Sequence, residues 1–191
     1  MRGSKLKNDK IVIGVVGLPG AGKTTFARIA KEKNFSPVVM GDFVREEAKK
    51  RGLPLNSESL GWLMFKLREE MGDDFLAKLT VKAIEEANNP LIVVDGIRTP
   101  SEVNFFRKKL KNFKLIAIHA SRENRFKRIA KRGRSDDPKL WEKFMEREKR
   151  EIMVGLEDAM ALADLNIQNN GSLDKFKQKV EDILRRITSN V

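Results

Sequence analysis

Apolar residues along this chain fall into two alternating patterns. Short, nearly continuous apolar runs such as Ile11-Val12-Ile13-Gly14-Val15-Val16 and Leu91-Ile92-Val93-Val94 are rich in β-branched residues. Runs of that kind predict strands buried on both faces of a parallel sheet. Between them lie longer stretches with apolar residues every three or four positions, the spacing of amphipathic helices. The runs predict strands at 11–16, 36–40, 91–95, 114–120 and 164–168. The intervening periodicity predicts helices near 23–33, 43–50, 57–71, 74–87, 100–110, 122–131, 138–163 and 172–187. Strands alternating with helices give an α/β fold with a parallel sheet covered on both faces.

Local signals sharpen the boundaries. Thr99-Pro100-Ser101-Glu102 is a capping box with proline at the first helical position, so a helix starts just after the third strand. Asp137-Pro138 marks another helix start. About fifty residues separate the second and third strands, far more than a direct crossover needs. Residues 41–90 therefore read as a helical insertion over one edge of the sheet, on the side that would take an acceptor. The densely charged stretch at 131–138 reads as a short lid. Residues 1–9 read as a flexible basic tail ahead of a domain covering 10–191.

The first strand runs into Gly17-Leu18-Pro19-Gly20-Ala21-Gly22-Lys23-Thr24-Thr25, which contains G-x-x-x-x-G-K-T. Strand, glycine-rich loop and helix in that order form the context this phosphate-binding motif requires. Backbone N–H groups of Gly17, Gly20, Ala21, Gly22 and the following residues would hold phosphate oxygens at a helix N-terminus. Lys23 would reach the β- and γ-phosphates, and the Thr24 hydroxyl would ligate Mg²⁺.

Ligands of open α/β sheets bind beyond the carboxyl ends of the strands, so the residues there are the candidates for chemistry. Asp95 ends the third strand, where an acid can hold Mg²⁺ directly or through water. Asp42 follows the second strand and reads equally as a general base, a helper for Mg²⁺ or a helix N-cap. Arg45, one helical turn on, and Arg98, in a short loop, are placed to grip an acceptor phosphate. Arg122, Arg125, Arg128, Arg132 and Arg134 form a dense cluster. Arg132 and Arg134, flanking Gly133, suit stabilisation of a transferring phosphoryl group on closure. His119, alone at a strand end, reads as structural.

Composition narrows the class. The chain has 191 residues, no cysteine and a net charge of +12. Disulfides, thiolate chemistry and cysteine-based zinc sites are excluded. No apolar run approaches a membrane span. These features, with no signal segment at the start, give a cytoplasmic expectation. The positive charge suits a small polyanionic substrate, with nucleic acid as the alternative partner. A GTPase switch is disfavoured because neither N-K-x-D nor D-x-x-G occurs.

In combination these residues resemble the nucleoside-monophosphate kinase-like P-loop kinases, including adenylate kinase and dephospho-CoA kinase. More closely, they resemble an uncharacterised archaeal family in that group. The resemblance spans about residues 10–187. Gly41-Asp42-Phe43-Val44-Arg45 resembles G-D-x-x-R of adenylate kinases, and Asp95-Gly96-Ile97-Arg98-Thr99 resembles their D-G-F-P-R-T with one residue fewer. Arg134-Ser135-Asp136-Asp137 resembles the lid sequence R-x-D-D, and Arg147 resembles the arginine of the next helix at a spacing two residues longer. Ala163-Asp164-Leu165-Asn166-Ile167 with Asn169-Asn170-Gly171 resembles A-D-x-x-I-x-N-x-G of dephospho-CoA kinases, whose backbone there touches adenine. The long lid of large adenylate kinases is missing. The D-x-D of dephospho-CoA kinases is reduced to Asp42.

The resemblance implies a three-layer α/β/α P-loop kinase fold with strand order 2-3-1-4-5. It implies Mg²⁺-dependent transfer of the ATP γ-phosphoryl group to a nucleotide-like, phosphorylated acceptor. Arg128, Asn170 and Gly171 would join the phosphate loop around the nucleotide, and Asp42, Arg45, Arg98 and Arg147 would face the acceptor. Two alternatives stand beside this expectation: transfer to a hydroxyl with Asp42 as base, and a nucleic-acid-associated ATPase or switch.

Overall fold

The computed structural model describes residues 10–133 and 137–189. The basic tail at 1–9 and the predicted lid residue Arg134 lie outside the described residues. In chain order the elements are β1 (Ile11–Val16), α1 (Lys23–Glu32), β2 (Ser36–Val39), α2 (Met40–Lys50), α3 (Ser57–Met71), α4 (Phe75–Glu86) and β3 (Leu91–Asp95). They continue with α5 (Pro100–Lys109), β4 (Asn112–His119), α6 (Arg122–Arg132), α7 (Trp141–Met153), α8 (Leu156–Ala161), β5 (Leu165–Gln168) and α9 (Leu173–Ser189).

The strands form one parallel five-stranded sheet in the order β2-β3-β1-β4-β5. Central β1 is buried at every position, as its unbroken apolar run requires. The two-residue period of the strand divides its side chains between two cores. Ile11, Ile13 and Val15 pack with Phe26 and Ile29 of α1 and Phe176 and Val180 of α9. Val12 and Val16 pack on the other face with Val44, Leu63, Leu76, Val103 and Leu156, drawn from α2, α3, α4, α5 and α8. Full burial of each large apolar side chain contributes about 1.5–3 kcal/mol. The two layers thus clamp the sheet and fix where its carboxyl edge lies.

Three element boundaries near the site differ from the sequence expectation. The helix start expected at Asp137-Pro138 falls at Trp141, with Leu140 as its N-cap. The single helix expected over 138–163 is two, because the chain turns at Gly155 with φ of 106°. That left-handed conformation suits glycine and interrupts the apolar periodicity less than a proline would. The second helix starts at Met40 rather than Phe43, with Val39 as its N-cap. Asp42 therefore sits inside the first turn and does not cap it, which corrects the cap reading. The expected capping box at Thr99 is present, with Thr99 accepting from Glu102 N and Glu102 accepting from Thr99 N. No helix among the described residues is long and apolar enough to cross a membrane.

Candidate functional site

The register of the sheet assembles the site. Val15 of β1 pairs with Asp95 of β3, and Val39 of β2 pairs with that same Asp95. The phosphate loop, the start of α2 and the segment Asp95–Arg98 consequently leave the sheet side by side. They line a cleft of about 340 Å³ that includes Gly17, Gly20, Gly22, Lys23, Thr24, Thr25, Gly41, Arg45, Asp95 and Arg98. Arg128, Arg132, Arg147 and Glu151 form its other wall.

The loop is held open by close packing. Gly20 has φ of 82°, and a Cβ there would lie 2.4 Å from the carbonyl oxygen of Arg125. Arg125 is 3% exposed and braces the loop by donating from Nη1 to Pro19 O at 3.2 Å. The first turn of α1 has no side-chain cap and no acidic residue. Its N–H groups and the helix dipole together suit this turn to an anion. Lys23 Nζ donates to Gly17 O at 2.5 Å. Burial pushes the Lys23 pKa down, and Asp95 and Glu151 oppose that shift.

Glu151 is the organising carboxylate of the cleft. Arg98 Nε donates to Glu151 Oε2 at 2.7 Å, and this pairing holds the Arg98 pKa above its ordinary value. Burial alone would push Glu151 up. The fields of Arg98, Lys23 and Arg147 and the Arg98 hydrogen bond overcome it, leaving the carboxyl below its ordinary value. Arg98 N also donates to Glu102 Oε2 at 2.7 Å. The guanidinium is thus fixed at both its root and its tip, while its buried Nη1 has no hydrogen-bond partner.

The opposite wall is one braced unit. Arg122 and Arg125 of α6 both pair with buried Glu148 of α7, at 2.9 and 2.5 Å. Phe126, Trp141 and Phe144 stack in mutual contact, with Phe126 and Trp141 edge to face at 5.1 Å. Asp137, almost fully buried, pairs with Arg132 and also lies 3.5 Å from Arg147 Nη1. Arg132 and Arg147 are thereby tied together on the cleft wall. Arg128 Nη2 donates to Asn169 O at 2.7 Å.

Some expected site residues sit apart from the cleft. Asp42 is not among the residues lining it. Its side chain is 61% exposed and pairs with Arg45 Nη1 at 2.6 Å. Asn170 accepts from Ser121 N at 2.7 Å and so anchors the start of α6, and neither it nor Gly171 lines the cleft. Its neighbour Asn169 is 6% exposed and donates from Nδ2 to Ala21 O at 2.7 Å. Sequence reasoning passed over Asn169 and Glu151. Glu151 lies one helical turn beyond Arg147, a spacing that places both on one face. Asn169 is the first residue past β5, at the same carboxyl edge of the sheet from which the phosphate loop leaves β1. His119, the last residue of β4, hydrogen-bonds with Asn166 of neighbouring β5 at 2.7 Å.

Thr24 and Asp95 bring a hydroxyl-bearing and a carboxylate-bearing residue to the lining of the cleft. Such hard oxygen donors suit Mg²⁺, which typically takes one or two protein ligands and completes its shell with water and substrate phosphates. The residues present therefore fit that ion.

The AAA domain family matches residues 16–144 of this chain. A UPF0200 protein from Pyrococcus horikoshii is 40% identical over 94% of this chain and 99% of its own length. One from Methanocaldococcus jannaschii is 45% identical over 95% of this chain and 92% of its own. Among solved structures, TT1252 from Thermus thermophilus superposes with a TM-score of 0.65 at 20% identity, covering 94% and 98% of the two chains. A shikimate kinase from Acinetobacter baumannii superposes with a TM-score of 0.57 at 18% identity, covering 98% of both. A gluconokinase from Sinorhizobium meliloti gives 0.56 at 16% identity, covering 96% of both. At these identities the likeness is one of fold, and that fold is the P-loop kinase fold expected from the sequence. The chain belongs to the UPF0200 family of archaeal proteins, built on a P-loop kinase-like domain.

Proposed function

We propose that this chain is an ATP-dependent small-molecule kinase that transfers the γ-phosphoryl group to a phosphorylated, nucleotide-like acceptor. One observation carries the reading. The phosphate-loop cleft continues into a second cavity of about 130 Å³, and the two share Gly41, Arg45, Arg98, Arg147 and Glu151. A pure nucleotide-binding switch needs only the first space, whereas a two-substrate transferase needs both.

In this reading the loop amides and Lys23 hold the β- and γ-phosphates of ATP. Arg128 flanks the loop, and Asn170 and Gly171 anchor the segment near the nucleotide. Thr24 and Asp95 would hold Mg²⁺, which when bound would neutralise phosphate charge. An oxygen of the acceptor phosphate attacks the γ-phosphorus in line. The bond to the β–γ bridging oxygen breaks, and ADP leaves with that electron pair. Arg45, Arg98 and Arg147, which line both cavities, orient the acceptor phosphate. Arg132 and Arg134 meet the charge that spreads over the transferring oxygens, where positioned cations act most strongly.

The test is an acceptor screen with ATP and GTP over nucleoside monophosphates, dephospho-CoA and phosphorylated metabolites, with Lys23→Ala as control. A phosphorylated acceptor made by the wild type and not by the control supports the reading. Acceptor-independent hydrolysis alone would overturn it. The net charge of +12 supports a second reading, a nucleic-acid-associated ATPase. RNA or DNA binding that weakens steeply with salt, with no acceptor phosphorylated, would favour that one.

A further inference from the structure

Arg125 ties together three parts of the molecule while lining neither cavity. Its Nη1 donates to Pro19 O of the phosphate loop at 3.2 Å, and its Nε donates to Ala120 O, just past β4, at 3.2 Å. Its Nη2 pairs with Glu148 Oε2 of α7 at 2.5 Å, and its Cζ stands 5.3 Å from the centre of the Phe144 ring on the same helix. Its backbone also abuts the loop, since a Cβ at Gly20 would meet the Arg125 carbonyl oxygen. The loop that would receive the donor phosphates is therefore held against α7 through one side chain.

Stability alone does not explain this arrangement. Arg125 is 3% exposed and Glu148 is 2% exposed. Drying two charges offsets most of what their attraction gains, and apolar residues of similar volume in their place are often as stable. An apolar pair could not bond the Pro19 carbonyl and the Glu148 carboxylate at once. A guanidinium does so because its donors lie in a fixed planar fork, whereas an ammonium is a point charge on a flexible stem. The helix at the far end of the tie carries part of the site. Arg147 precedes Glu148 and Glu151 follows it by three residues, and both line the cleft with Lys23. Glu148 itself lines neither cavity.

We infer that Arg125 is a positioning residue: through Glu148 it sets the phosphate loop against α7, so that the loop amides and the α7 side chains Arg147 and Glu151 keep a fixed spacing across the cleft. Without the tie the loop is free to shift, and its N–H groups lose their common aim at the phosphates. The assignment rests on the nucleotide half of the kinase reading above and does not depend on the acceptor.

The experiment measures the Kd for Mg·ATP by calorimetry on the full chain, well below its melting temperature. Three variants are compared with the wild type. Arg125→Lys keeps a cation for Glu148 and loses the fork. Arg125→Met combined with Glu148→Leu removes the ion pair and leaves Arg122, whose side chain is 48% exposed, to water. Glu148→Asp keeps the charge and shortens its reach. Each should keep the wild-type circular dichroism spectrum and bind one ATP per chain. The Kd should rise about tenfold or more in the first two, the loss expected when even one charge-assisted hydrogen bond from loop to phosphate goes out of line. It should rise by a smaller factor in Glu148→Asp. A merely structural Arg125 would lower the melting temperature and leave the Kd of folded chains unchanged. That result, or loss of the fold in Arg125→Lys and the double variant alike, would overturn the proposal. So would a wild-type Kd in Glu148→Asp, which would detach the loop from α7. No ATP binding by the wild type would overturn both this proposal and the kinase reading. The expected rises in Kd, in a protein that phosphorylates no acceptor, would leave this proposal standing and sink the kinase reading alone.

Discussion

Arg98 Nε and Glu151 Oε2 lie 2.7 Å apart, joining the loop after β3 to the last turn of α7 in the lining of the cleft. This contact fixes the one guanidinium that lines both cavities from a rigid loop, and it places a carboxylate among Lys23, Arg98 and Arg147. Glu151→Gln keeps the shape and removes the charge. Three cations then face one another with less compensation, so the protein alone should lose about 1–3 kcal/mol of stability, the usual cost of breaking a charge-assisted hydrogen bond. An added polyanion should restore part of it. The check is thermal unfolding with and without ATP, and the ATP-induced rise in Tm should be larger in Glu151→Gln than in the wild type.

The same residue gives a pH dependence. Its folded-state pKa lies below the ordinary value of 4.5. The stabilisation it provides is therefore complete above about 4.5 and is lost as pH falls through the lower, folded-state value. Wild-type stability should drop in that acid window. Glu151→Gln, with nothing to titrate there, should show a shallower drop over the same range when unfolding is followed from pH 6 to pH 2.

Lys23 presents the opposite balance. Burial lowers its pKa, so the charged form is disfavoured in the fold below the shifted value, and the penalty is relieved as pH rises toward 10.5. Lys23→Met keeps much of the stem and removes the charge. Its melting temperature without nucleotide should equal or exceed that of the wild type, while phosphoryl transfer should fall by about a thousandfold or more, as expected when a principal phosphate contact is removed. A variant that unfolds in place of losing turnover would assign Lys23 a structural role.

How legible this site was follows from which residues speak locally. Lys23, Asp95 and the capping box at Thr99 belong to contiguous patterns, and each sits where its pattern put it. Glu151 and Asn169 act through contacts 53 and 148 positions away in sequence, with Arg98 and Ala21. No local pattern encodes such partners. The strand order was available only through resemblance, because alternating strands and helices do not themselves fix which strand lies at the centre. The break at Gly155 was missed because the apolar periodicity of α7 continues in α8, and a lone glycine is weak evidence of a turn.

Gly20 tests the loop itself. A Cβ at 2.4 Å from a backbone oxygen cannot be accommodated by rotating a side chain, and the positive φ adds strain. Gly20→Ala should displace the loop from Arg125, cost roughly 1–3 kcal/mol and abolish ATP binding measured by calorimetry. Asn169→Ala should be milder. It leaves the buried Ala21 carbonyl without its 2.7 Å donor, at about 1–3 kcal/mol, and should raise the KM for ATP more than the KM for the acceptor.

Asp42 separates the two kinds of acceptor. A hydroxyl acceptor must lose a proton as it attacks, so a general base is worth about 10²–10⁴ in rate. A phosphate acceptor is already ionised near neutrality and needs no such base. In the structure the Asp42 carboxylate is 61% exposed, pairs with Arg45 at 2.6 Å, and stands outside the residues lining the cleft. An exposed pair of that kind contributes about 0–1 kcal/mol. Asp42→Asn should therefore leave kcat within a few-fold of wild type and change chiefly the acceptor KM, through the freedom it gives Arg45. Steady-state kinetics over pH 6–9 provide the check. A loss of a hundredfold or more in kcat, together with disappearance of an acidic limb from the wild-type profile, would make Asp42 the base and the acceptor a hydroxyl.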